Sequence, residues 1–103
     1  MSKHLSLVFH SDPAHGWLEV DRDHIADLGL CHRVSRASYV SDRNVYLEED
    51  CDMPLFLNVA EQFEWAVSYD ESHCDALSNI RNLSRYEPPP YPCSRTQQVS
   101  RQR

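Results

Sequence analysis

The sequence predicts a small α+β domain: a small antiparallel sheet in the element order ββαββαβ, with two short helices packed on one face and a C-terminal turn. Three observations favour this class. Segments that alternate apolar and polar residues indicate strands, segments with apolar residues three and four apart indicate helices, and polar turn residues separate them. A chain of 103 residues has room for one domain with one modest core.

The first elements are a hairpin and a short helix. Apolar and polar residues alternate across residues 4–11, and residues 17–20 form a second strand after a polar turn. Asp21 is placed to cap the following helix, in which Ile25 faces the core, and Gly29 ends it. A helix of about two turns depends on packing more than on propensity.

A second hairpin and a second helix follow. Strand-forming residues at 34–40 and 45–47 flank the polar loop 41–44. Asp52 is placed to cap a helix that continues to Phe63 with an apolar face at helical spacing.

The last elements are a fifth strand and a short turn. Residues 64–69 alternate again, which predicts the strand. Leu77, Ile80 and Leu83 are spaced by three, which predicts a final short helix or 3₁₀ segment.

Composition changes at residue 87. Residues 1–86 contain 15 acidic and seven basic side chains, a net charge of −8, whereas residues 87–103 contain one acidic and three basic side chains, a net charge of +2. Three consecutive prolines, residues 88–90, disfavour a sheet and favour an extended conformation. We predict that residues 1–86 form a single α+β domain and that residues 87–103 are a Pro-rich, basic, disordered tail. A proline-rich ligand for a host domain is the alternative for this segment.

Charge, hydropathy and cysteine spacing argue against several protein classes. A net charge of −6 without a stripe of Lys or Arg argues against direct nucleic-acid binding. No apolar run approaches the ~20 residues of a membrane span, and the first residues do not resemble a signal peptide. Cys31, Cys51, Cys74 and Cys93 are widely spaced, which predicts reduced thiols in a cytoplasm, since a disulfide framework would require export.

Candidate catalytic groups are few. His10, Asp12 and His15 lie within six residues and offer ligands suited to zinc or iron, but their spacing matches no established motif. The simpler interpretation is that Asp12 organises a turn while His15 packs beside Trp17. The aspartates on either side of Cys51 raise its pKa, which makes it a poor nucleophile. We therefore predict no catalytic residue, no metal and no cofactor.

The most concentrated charge is an acidic run that follows the fourth strand, residues 48–52. One interpretation is a solvated strand end with a helix cap. The other is a negative surface that binds a basic surface of another protein, extended by acids from the fifth strand. The predicted partner-binding residues are Glu48, Glu49, Asp50, Asp70, Glu71 and Asp75.

Aromatic and arginine side chains could add to such an interface. The aromatic candidates for anchors are Trp17, Tyr39, Tyr46, Tyr69 and Tyr86. Two arginines, Arg81 and Arg85, could bind anions, although in a chain with excess acid they more often pair with the domain's own carboxylates.

Several strings resemble a family of short proteins from phages, plasmids and proteobacterial mobile elements. The strings are SDPAHGWLEV (11–20), SRASYV (35–40), VYLEEDCD (45–52) and IRNLSRY (80–86). The resemblance spans residues 5–86, with Ala14 where the family usually has Gly and Asp21 where it usually has Pro. It implies a genomic setting and no particular reaction.

This setting changes the functional interpretation. Small acidic proteins of mobile elements often bind host machinery, and anti-CRISPR proteins and other DNA mimics present carboxylates where a partner expects phosphates. We therefore predict a non-enzymatic inhibitor, an anti-CRISPR or similar anti-defence protein. It would act in the bacterial cytoplasm by occupying a basic nucleic-acid-binding surface, such as that of a CRISPR effector complex. The alternatives are an accessory or regulatory binding protein without inhibitor activity, and a metal-dependent enzyme that uses His10, Asp12 and His15.

Overall fold

The computed structural model describes residues 3–92, which contain six strands, two α-helices and a 3₁₀ turn. The strands are β1 (His4–Ser11), β2 (Gly16–Asp21), β3 (Tyr39–Val40), β4 (Asn44–Glu48), β5 (Ala66–His73) and β6 (Ser84–Arg85). The helices are α1 (Arg22–Asp27) and α2 (Asp52–Gln62), and the 3₁₀ turn is Asn79–Asn82. The predicted α+β class and element order are confirmed, and β6 is an additional strand. Within the described residues, no helix has the length and apolar character needed to span a membrane.

The six strands form one mixed sheet in the order β5-β1-β2-β4-β3-β6. β1 and β5 are parallel, whereas every other neighbouring pair is antiparallel. The prediction of a wholly antiparallel sheet is wrong for this one pair. The reason is that α2 returns the chain along the sheet after β4, so that β5 enters beside β1 and runs in the same direction.

The main core lies between one face of the sheet and both helices, as predicted. Leu18 in β2 and Leu47 in β4 are fully buried, and Phe56 of α2 and Ile25 of α1 cover them. Gly16 at the start of β2 has a packing role on the same face. A Cβ at this position would lie 2.2 Å from Cζ of Phe9, so only glycine allows the Phe9 ring to sit there.

The opposite face of the sheet carries a smaller cluster beneath the 3₁₀ turn. Trp17 and Tyr39 come from β2 and β3, and Ile80 comes from the turn; all three are buried. The predicted C-terminal turn therefore covers the second face, where neither α-helix packs.

The two predicted helix caps have different outcomes. Asp21 accepts a hydrogen bond from the N–H of Asp23, and Gly29 follows α1 with a φ of 72°, so both predicted ends of α1 are confirmed. The prediction for Asp52 is wrong, because Cys51 occupies the N-cap position of α2 and makes no side-chain cap. Asp52 is buried and accepts hydrogen bonds from a distant loop instead.

That loop, residues 35–38, was predicted to belong to a strand and forms a turn. The carboxylate of Asp52 accepts the N–H and the hydroxyl of Ser35 and the hydroxyl of Ser38. These bonds hold the segment in a turn, so the predicted strand at 34–40 is reduced to β3.

The described chain ends with a proline-containing segment that lies outside the helices and strands and contacts the domain. Tyr86 is buried, and its hydroxyl donates to the carbonyl of Cys31. Beyond it, Glu87 pairs with Arg36 at 2.7 Å, and the carbonyl of Pro89 lies 2.9 Å from Nε2 of His32. The predicted tail spans 87–103, and its part from residue 93 onward lies outside the described residues.

The cysteines only partly follow the prediction of reduced thiols. Cys51 and Cys74 are free and exposed. Cys31 is disulfide-bonded, which corrects the prediction for this residue.

Candidate functional site

The candidate site is one end of the sheet, where three strands finish together. β1 and β5 are parallel, and β2 is antiparallel to both β1 and β4, so β1, β4 and β5 all end on the same side. We call this side the carboxyl end and define it as residues 11–16, 48–52 and 70–75. The topology therefore gathers two acidic segments that lie about twenty residues apart in the sequence.

The predicted acids occupy two separate positions along this end. Glu48, Glu49 and Asp50 lie at the end of β4. Glu71 and Asp75 lie in and just after β5, and β1 and β2 separate the two positions. Three spacings between neighbouring strands amount to about 14 Å. The structure brings the two groups to one end of the molecule but does not merge them into one cluster.

Asp70, the sixth predicted residue, points away from Glu71. Successive residues of a strand face opposite sides of the sheet. Asp70 is aligned with the exposed Val8, whereas Glu71 is aligned with Phe9, which packs on the main core. The two carboxylates therefore present charge to both faces of β5.

Glu48 has a structural role in the turn after β4 and contributes little charge to the surface. Its side chain is buried, and Oε1 accepts the N–H groups of Asp50 and Cys51, each at 2.9 Å. Oε2 lies 3.7 Å from Nδ1 of His15. Glu48 thus shapes the turn after β4, and the solvent-facing charge at this position comes from Asp50 and the half-buried Glu49.

Cys51 has a raised pKa, as predicted. The hydrogen bond with Glu48 is the main cause, followed by desolvation and the negative charges of Glu48, Asp52 and Asp50. The thiol therefore stays protonated at neutral pH, which disfavours a nucleophilic role.

Asp12 ties the first turn to the C-terminal segment. Its carboxylate accepts the N–H groups of Ala14 and His15 at 2.9 Å, that of Ser78 at 2.9 Å, and Nε and Nη2 of Arg81 at 2.9 and 3.1 Å. The hydrogen bond with Arg81 is the main reason that the pKa of Asp12 is well below its usual range. The predicted turn at Asp12 is confirmed.

His10, Asp12 and His15 do not form a ligand set. His10 is paired with Glu19 at 2.7 Å on β2, and the ring of His15 lies 6.1 Å from that of Trp17, as predicted. The carboxylate of Asp12 is saturated by its own donors. Within the described residues, no group of three or more His, Cys, Asp or Glu side chains could hold a metal ion.

A hydroxyl–imidazole–carboxylate chain at the end of β5 could not be read from the sequence. Oγ of Ser11 donates to Glu71 at 2.6 Å and lies 2.8 Å from Nδ1 of His73, whose Nε2 is 3.4 Å from Asp75. Because the hydroxyl proton is directed to Glu71, the imidazole is not placed as its base. These side-chain hydrogen bonds link the end of β1 to the end of β5.

A cleft of about 320 Å³ opens between the turn after β4 and the second face of the sheet. Its floor is the buried Trp17. The guanidinium groups of Arg81 and Arg85 lie over the rings of Trp17 and Tyr39, at 5.3 and 4.6 Å. The cleft is also lined by Glu48 and Asp50, and such a mixture of charges does not select one class of ligand.

The other predicted interface residues are mostly internal. Tyr39, Tyr86 and Trp17 are buried, whereas Tyr69 is 45% exposed. Of the two arginines, Arg81 pairs with Asp12 as predicted, and Arg85 donates to the carbonyl of Arg36. Tyr69 is therefore the aromatic candidate with the most accessible ring.

Four of the seven Lys and Arg side chains in residues 3–92 are paired with acids outside the predicted partner-binding set. The pairs between Lys or Arg and a carboxylate in residues 3–92 are Lys3–Asp27, Arg36–Glu87, Arg43–Asp21 and Arg81–Asp12. None of the six predicted partner-binding carboxylates takes part in them.

Comparison with models of protein families, with curated proteins and with solved structures gives no match. The candidate site therefore rests on the geometry of this chain.

Proposed function

We propose that the protein binds a basic, nucleic-acid-binding surface of another protein through the acids of its carboxyl end. One observation carries this proposal. Asp50, Asp70, Glu71 and Asp75 are exposed, and within the described residues they have no Lys or Arg partner, although four such ion pairs form elsewhere in the domain. Their charge is left available for the cations of a partner.

The physical effect of such a surface is on association. A groove built to bind phosphates also attracts spaced carboxylates, and complementary charge raises the rate of encounter more than it lowers the rate of dissociation. These charges are exposed, so salt should weaken the effect over a screening length of about 8–10 Å.

The resemblance of residues 5–86 to proteins of mobile elements supports an anti-defence role for this binding. In this role the protein is an inhibitor, of the anti-CRISPR or a similar class, and it competes with nucleic acid for its partner. A regulatory binding protein without inhibitor activity would use the same surface but would not compete with nucleic acid.

A charge-reversal experiment tests the proposal. The test variant is Glu49→Lys with Asp50→Lys, which leaves Glu48 and Asp52 in their buried hydrogen bonds. The matched control is Glu61→Lys with Glu64→Lys, the same change in charge on exposed residues at the other end of the domain. Immobilised parent and variants are exposed to a lysate with an active CRISPR effector complex, and target DNA is then added as a competitor.

We expect the parent and the control to capture the complex and DNA to displace it. The test variant should bind more weakly, mainly because it associates more slowly. Failure of the parent to capture the complex contradicts the CRISPR form of the proposal. Equal binding by the test variant contradicts the role of the acids that follow β4.

A further inference from the structure

We propose that the exposed edge of β5 pairs with an extended, basic segment of the partner, which adds a seventh strand to the sheet. This inference rests on the proposed function, because it specifies how a basic partner is engaged.

The register of β5 shows which backbone groups are open. The N–H of Ala66 donates to the carbonyl of Lys3 at 2.7 Å, and the N–H of Cys74 donates to that of Ser11 at 2.8 Å. The pairing between them is continuous, and bonds in a parallel ladder use every second residue. Residues 66, 68, 70, 72 and 74 therefore bond to β1. The N–H and C=O groups of the intervening residues point outward from the edge: Val67, Tyr69, Glu71 and His73.

The protection of this edge against strand addition comes from its charged side chains. β5 has eight residues without a proline or a bulge, and within residues 3–92 its single strand neighbour is β1. The opposite edge of the sheet, β6, has two residues and is followed closely by the prolines at 88–90. The domain therefore offers one long open edge.

Charge selects the occupant of this edge. In an antiparallel pairing of two copies of β5, Asp70 and Glu71 of one copy would lie opposite or diagonal to the same residues of the other. Like charges in these positions are destabilising. A strand that carries Lys or Arg on the Asp70 face meets this carboxylate favourably, and Asp70 has no arginine or lysine partner within the described domain.

Tyr69 offers an apolar contact on the same edge. Tyr69 is 45% exposed, and its ring lies 5.9 Å from that of Phe9, which fixes its position beside β1. Cross-strand pairs of aromatic and β-branched side chains stabilise sheets. The matching segment therefore has basic residues on the Asp70 face and apolar residues on the Tyr69 face.

Amide hydrogen exchange measured by NMR tests this pairing directly. The probe is a synthetic peptide of alternating lysine and valine with the eight-residue length of β5, and the control peptide replaces lysine with glutamate. With the lysine peptide, the amides of Val67, Tyr69 and Glu71 should exchange at least about tenfold more slowly, while the even-numbered amides are already slow. The glutamate peptide should leave all of them unchanged.

Two results of the exchange experiment would overturn the inference. One is unchanged exchange of the outward amides at a concentration of the lysine peptide that shifts other resonances. The other is protection that rises with protein concentration alone, since this would identify a second copy as the occupant.

Proline variants separate this inference from the proposed function. Tyr69→Pro removes an outward N–H and no ladder bond, so the domain should stay folded and lose the capture of its partner. Ser68→Pro removes a bond to β1 and should be destabilised. Should Tyr69→Pro unfold, Asp70→Lys tests the same edge and should abolish protection by the lysine peptide. If Tyr69→Pro is folded and captures the partner while the Glu49→Lys, Asp50→Lys variant does not, strand addition is wrong and the proposed function stands.

Discussion

At the scale of single residues, the contribution of the Asp12 carboxylate to the stability of the fold depends on pH. Arg81 and three backbone N–H groups stabilise its charged form, and the pKa is therefore lowered from the ordinary value of 3.8. A lowered pKa means that the folded state favours the ionised carboxylate more than the unfolded state does. The stabilisation is complete above about pH 5 and is lost as the pH falls below 3.8.

We predict that Asp12→Asn lowers the melting temperature at pH 7 and that the difference from the parent shrinks between pH 5 and pH 3. Thermal unfolding followed by circular dichroism at several pH values measures this difference. Glu61→Gln, at an exposed site, is the control and should show no such trend. A constant difference across this range would mean that Asp12 acts without its charge.

Asp52 is the second carboxylate with a structural role. It is 3% exposed and accepts hydrogen bonds from Ser35 and Ser38. Asp52→Ala leaves these donors without a partner, so we expect the free energy of unfolding to fall by about 1–3 kcal/mol. Urea denaturation measures the loss. Asp50→Ala, at an exposed neighbouring position, should change the stability little, and a loss of similar size there would contradict this assignment.

These residues show why sequence reasoning succeeds at one cap and fails at another. The bond of Asp21 reaches two residues along the chain, so the local pattern is sufficient to predict it. The partners of Asp52 lie 14 and 17 residues away, and no local pattern contains them. Likewise, Glu48 has the same charge as Asp50 in the sequence, and only the fold of the turn buries one and exposes the other.

At the scale of elements, alternation predicts the existence of strands but not their direction. The bounds of β1 agree with the prediction. The sequence also predicts β5 as a strand, at 64–69, whereas β5 begins two residues later and ends four residues later, at Ala66–His73. Whether β5 is parallel to β1 depends on where α2 delivers the chain, which is a tertiary property. β6, with two residues, is too short to leave an alternating pattern.

At the scale of the whole molecule, the direction of β5 decides where the charge lies. The acids were identifiable from the sequence, but their common location was not. If β5 were antiparallel to β1, Asp75 would lie at the opposite end of the sheet from Asp50. The parallel pairing places both at the carboxyl end and leaves an open edge beside them. The acids and the open edge of β5 therefore lie next to each other. For this reason the proposed binding of a basic surface and the proposed strand addition concern one partner.

The boundary of the folded unit gives the last prediction. Tyr86 is 4% exposed, whereas the Arg36–Glu87 pair and the contact at Pro89 are exposed. Exposed ion pairs contribute less than about 1 kcal/mol. Under reducing conditions, which open the Cys31 disulfide, we therefore expect truncation after Tyr86 to lower the free energy of unfolding by about 1 kcal/mol or less. Tyr86→Ala in the full chain should cost about 3 kcal/mol, because it removes a buried ring. Urea denaturation compares the two. A loss on truncation as large as that of Tyr86→Ala would show that the domain extends beyond residue 86.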